Sequence, residues 1–125
     1  MCLDTINPEL EPVDEGYKVF HLDKRTNRLF SQCQGRPTCK YRGRWLDARA
    51  HSIYKKTLLF SAGSNHALYP NGWHSYLYLS DAKKRCSQWS SNVVARVKIR
   101  EPLATGTQNG MPCTVSRYIK IEEVY

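Results

Sequence analysis

The pattern of apolar residues predicts an α+β fold. It would be a mostly antiparallel or mixed β-sheet with one short helix packed on it and a basic loop inserted. Three observations carry this. Val93–Arg100 alternates strictly, with Val93, Ala95, Val97 and Ile99 on a core face and Val94, Arg96, Lys98 and Arg100 on a basic one. Tyr69–Lys84 reads as turn, strand and helix start in one block. The other apolar runs are short and bounded by Gly, Pro, Asn or Asp, as strands are.

Residues 1–15 form an acidic arm with Pro8 and Pro12; they hold five acids and no base. Gly16 opens a strand, Tyr17–Leu22, in which Tyr17, Val19 and His21 alternate with Lys18, Phe20 and Leu22. After a charged turn, Arg28–Gln32 is the returning strand of a hairpin. Residues 33–50 read as irregular, punctuated by Gly35, Pro37 and Gly43, with Trp45 and Leu46 as anchors. Tyr54–Phe60 is a further short apolar run, and Ala62–Asn65 a loop.

The block at Tyr69 begins with Pro70, Asn71 and Gly72, which are turn chemistry. From Trp73 the chain alternates, so that His74, Tyr76 and Tyr78 share one strand face. Ser80 is the expected N-cap of a helix over Asp81–Trp89, with Ala82, Cys86 and Trp89 on its inner side. Pro102 is expected to end the Val93 strand. Gly106–Pro112 reads as a turn-rich loop, and Val115–Ile121 as the last strand.

A chain of 125 residues is the size of one domain with a real core. No apolar run reaches the ~20 residues of a membrane helix. The acidic start has no signal-peptide core, so the five cysteines are expected as reduced thiols in a cytoplasm. Net charge is +8, and residues 24–56 hold ten of the nineteen bases against one acid, Asp47. Such asymmetry points to a polyanion or an acidic protein face as partner.

Four groups of residues carry candidate chemistry. Cys2 would become an N-terminal nucleophile if Met1 were removed, its own amine serving as base; otherwise it docks the arm. Cys33 and Cys39 are five residues apart, too far for a zinc knuckle, and no two histidines have ligand spacing, so no metal is expected. His74, Tyr76 and Tyr78, with His21 on a neighbouring strand, could do acid–base work or hold a nucleotide. With no carboxylate partner at a defined spacing, they fit an ordinary half-exposed sheet face better. Lys40–Trp45 interleaves bases with aromatics. Arg36, Lys40, Tyr41, Arg42, Arg44, Trp45 and Arg49 are therefore the candidate contact surface, for an acidic protein or for nucleic acid.

Several stretches resemble a family of small proteins encoded by tailed bacteriophages and prophages. They are Met-Cys-Leu at 1–3, Gly-Tyr-Lys-Val-Phe at 16–20, Tyr-x-x-Gly-Trp-His at 69–74, Asp-Ala at 81–82, Val-Val-Ala-Arg-Val-Lys at 93–98 and Ala-Thr-Gly-Thr-Gln at 104–108. The resemblance covers most of the chain outside residues 25–65. It implies an accessory protein in the host bacterial cytoplasm. By genomic company it implies an inhibitor of host defence, such as an anti-CRISPR protein, bound to an acidic host protein or nucleoprotein complex without a cofactor. The order of elements is also similar to ADP-ribosyltransferase-like folds. That similarity implies an NAD or other nucleotide cleft near His21, His74, Tyr76 and Tyr78, although the chain lacks a Glu-x-Glu motif.

Overall fold

In the computed structural model of the chain, the described residues are 3–23, 25, 26, 28–30, 43–51, 59–61, 68–70, 72–87 and 91–125. The strands are β1 (Thr5–Ile6), β2 (Glu15–Asp23), β3 (Arg28–Phe30), β4 (Trp45–Asp47), β5 (Leu59–Ser61), β6 (Leu68–Pro70), β7 (Trp73–Tyr76), β8 (Asn92–Gln108) and β9 (Met111–Val124). The helices are α1 (Ala48–His51) and α2 (Leu79–Cys86). Strand takes up 63% of the described residues, which corrects the α+β expectation: this is a mainly β protein. Among the described residues its seven-stranded sheet has only antiparallel pairings, so the mixed alternative also falls. No helix among the described residues is long and apolar enough to cross a membrane.

The misjudged balance comes from the last third of the chain. Pro102 does not end its strand. β8 runs on through it, and the disruption is absorbed by a positive φ of 55° at Glu101 and a register shift between Pro102 and Ala104. The expected loop at Gly106–Pro112 shrinks to a two-residue turn. Asn109 and Gly110 both have positive φ, 54° and 75°, as a type I′ hairpin requires. The result is one long, bent hairpin, β8–β9.

That hairpin closes the sheet on itself. β2 pairs with β8, β8 with β9, β9 with β7, and β7 returns to β2 through the Tyr17–Tyr76 pair. Closure removes the free edges of these four strands. Phe20, Trp73, Ala95, Val97, Ile99, Ile119 and Ile121 fill the inside. Trp73 is fully buried, and its Nε1–H donates to the Leu46 carbonyl at 2.9 Å, which ties β4 to the core. Lys18 projects to the same side as Phe20 and is only 4% exposed; its Nζ donates to the His74 carbonyl at 2.9 Å. The ammonium also lies 5.6 Å from the Phe20 ring centre and 5.8 Å from that of Trp73.

Among the described residues two layers cover the outside. α2 packs Ala82 and Cys86 on Tyr17, Val19, Tyr76 and Val94, as its expected inner side implied; Trp89 lies outside the described residues. The helix starts earlier than Asp81, and Ser80 does not cap it: the N-cap is Tyr78, with no side-chain hydrogen bond. The reason is that β7 stops at Tyr76, so Leu77 and Tyr78 form the link rather than strand. The N-terminal arm forms the second layer. Leu3 is buried with Tyr69, Cys113 and Val115. Asp4 and Asn7 backbone N–H groups donate to the carbonyls of Thr107 and Thr105, both at 2.8 Å.

Candidate functional site

The basic insertion is only partly open to description. Cys2, Arg36, Lys40, Tyr41 and Arg42 lie outside the described residues, as do Cys33 and Cys39. What remains corrects the irregular reading at its C-terminal end, because Trp45–Asp47 is strand β4, paired with β9, and α1 follows it. Asp47 begins that helical turn by accepting the Arg49 backbone N–H at 3.0 Å.

This pairing aligns three strands into rows. Trp45 stands opposite Lys120, which stands opposite Lys98; Asp47, Tyr118 and Arg100 form the next row. The Arg100 guanidinium lies 4.2 Å from the centre of the Trp45 ring, and the Lys120 ammonium 5.3 Å from it. Arg117 lies 5.0 Å from the Tyr118 ring centre and forms a fork with Asp47 at 3.2 and 3.3 Å. Glu101 at 3.7 Å from the same guanidinium completes its surroundings, and these carboxylates raise the Arg117 pKa. Lys120 has Glu122 at 3.6 Å. Arg44, Lys98 and Arg100 are exposed and form no ion pair among the described residues.

The surface is therefore a cation-bearing aromatic face on regular strands. Of the contact residues expected from sequence, Trp45 opens β4, Arg44 lies exposed just before it, and Arg49 sits exposed in α1. Lys98, Arg100, Arg117, Tyr118 and Lys120 were not among them. Their signal was present in the Arg96–Lys98–Arg100 alternation, but only the pairing of β8, β9 and β4 shows that it continues onto Trp45.

The second expected cluster does not assemble. His21 is exposed, and its Nδ1 is 2.9 Å from the Ser91 hydroxyl. It is four residues along β2 from Tyr17, the partner of Tyr76, or roughly 13 Å at strand spacing. Tyr78 is exposed at the start of α2, whereas Tyr76 and His74 are buried. Burial, with Cys113 adding to it, pushes the Tyr76 phenol up to about 12. Because the folded value exceeds the unfolded 10.0, this stabilisation is full below pH 10 and disappears as pH rises towards 12. A spectroscopic titration should show the Tyr76 phenolate forming only near pH 12, with stability falling between pH 10 and 12.

His74 has a structural assignment. Tyr69 Oη accepts the Leu3 backbone N–H at 2.7 Å and lies 2.9 Å from His74 Nε2. The phenol oxygen has a second lone pair, so the donor in the contact with Nε2 is set by the imidazole tautomer. The relay fastens the arm to the sheet. Tyr69→Phe is expected to cost roughly 1–3 kcal/mol, because it leaves the buried Leu3 N–H unsatisfied. Urea melts and amide exchange at residues 3–7 would measure it; an unchanged midpoint with protected arm amides would refute the assignment.

No protein-family model, curated protein or solved structure matches the chain. The functional reading therefore rests on the residues themselves. Among the described residues no group of three or more His, Cys, Asp and Glu could hold a metal.

Proposed function

We propose that this is a non-catalytic binding protein that docks its basic sheet face on an acidic protein surface. The resemblance to small phage proteins supplies the setting, a phage product that inhibits a host defence complex in the bacterial cytoplasm. The observation that carries the reading is the contact of Trp45 with both Arg100 and Lys120 on the β4–β9–β8 face. An aromatic ring orders the cations that lie on it, so less side-chain freedom is lost on binding. Trp and Arg are also the residue types that most often dominate protein interfaces. Binding of this kind requires neither a cofactor nor a catalytic step. The separation of His21 from Tyr76, and the burial of Tyr76 while Tyr78 is exposed, support it over a nucleotide cleft.

Joint reversal, Arg100→Glu with Lys120→Glu, is the test. Neither side chain is buried, so the native fold should persist. Retention of the host partner from lysate should fall by about a hundredfold or more, since like charges then face the acidic surface. Unchanged retention would remove this face from consideration.

A second reading has its own observation: Trp45 and Tyr118 among cations also form a platform on which unpaired bases stack. It predicts that labelled single-stranded oligonucleotide binds with a steep loss of affinity as salt rises. A flat salt response would exclude it.

A further inference from the structure

The arm and two strand segments wall a groove of about 350 Å³ that shares no residue with the Trp45 face. Pro8, Leu10 and Pro12 come from the arm, Leu68 and Pro70 from β6, and Leu103 from β8. The volume is within the range of sites that take a ligand or an anchoring side chain. Its prolines have fixed φ, so the walls need little ordering. Leu68 is 63% exposed at its margin.

Both polar side chains in the lining are already engaged. The Thr105 hydroxyl donates towards the Asn7 and Leu10 carbonyls at 2.7 and 3.0 Å. The Tyr69 hydroxyl serves Leu3 and His74. The groove therefore selects by apolar area and shape. Its charge setting is opposite to that of the sheet face. Glu9 and Glu11 alternate with the lining residues Pro8, Leu10 and Pro12, are exposed, and join no ion pair among the described residues. No base occurs in residues 1–15.

We infer that the groove is a second docking site, for a short apolar segment of a partner protein flanked by Lys or Arg. The site is independent of the basic face: it has different residues and the opposite charge preference, so either can fail alone.

The test is an NMR titration of the full chain with two probe peptides, Lys-Lys-Leu-Phe-Leu-Lys-Lys and Glu-Glu-Leu-Phe-Leu-Glu-Glu. The basic probe should shift the methyls of Leu10, Leu68 and Leu103 and bind about tenfold or more tightly than the acidic one at low salt. Leu68→Glu should weaken it by about tenfold through a charge placed in the apolar margin. Glu9→Lys with Glu11→Lys should reverse the preference between probes. All three substitutions are at exposed positions, so a native spectrum is expected in each. Unmoved groove methyls at millimolar basic probe, or equal affinity for the two peptides, would overturn the inference. So would Leu68 methyl shifts that vary with protein concentration alone, which would mean that a second copy of the chain fills the groove.

Discussion

Trp73→Ala is expected to destabilise the protein by roughly 3–5 kcal/mol, the range for removing a large buried aromatic. Three losses coincide at this position. The indole is fully buried among Phe20, Leu46, Ile119 and their neighbours, so truncation leaves a cavity in dense packing. The Leu46 carbonyl loses the indole N–H that holds β4. The site is also on β7, the short strand that joins β9 back to β2. Trp73→Phe should be milder, because it retains most of the apolar volume and loses chiefly the hydrogen bond. Urea unfolding of the two variants separates the contributions. A loss below about 1 kcal/mol for the alanine variant would mean that the core collapses around the gap, contrary to the rigid closed sheet described above.

Gly106→Val should have a different phenotype of comparable size. Gly106 lies between Ile6 of β1 and Cys113 of β9, and a Cβ there would collide with the Thr5 carbonyl oxygen. Valine is well suited to a strand, so β8 itself should tolerate it. The arm must then move away. The cost is bounded by what the arm contributes: burial of Leu3, about 1.5–3 kcal/mol, and several modest hydrogen bonds. The expected result is a retained sheet whose residues 3–10 exchange amide hydrogens freely, with a loss of roughly 2–4 kcal/mol. Persistence of arm protection in Gly106→Val would sink this account. Global unfolding would show instead that the arm is integral to the sheet.

Local structure was legible wherever neighbours in sequence decide it. The alternation around Val97 located β8, and Ala82 with Cys86 identified the sheet-facing side of α2. Asn109-Gly110 also held a turn signal, but Pro102 and Pro112 on either side disguised the two strands as loop. A proline in a strand is readable as a bulge only once its partner strand is known. Lys18 shows the same limit. A lysine in an alternating strand reads as solvent-facing on one side, yet here its side becomes the interior because β8 and β9 curl round to meet it. The functional surface was half legible. Trp45 stood out by composition, but Lys120 and Arg100 reach its ring only through pairings across more than fifty residues of chain.

The closed circuit also imposes an order on biosynthesis. β2 and β7 are made early, but neither has its full set of neighbours until β8 and then β9 exist. The nascent chain therefore leaves the ribosome with an incomplete ring and the apolar interior of β2 uncovered. Most pairings are distant in sequence, which slows their formation. The ring can close only after residues 113–116 of β9 have emerged, so a stalled or truncated chain lacking β9 would leave an aggregation-prone fragment rather than a weaker version of the protein.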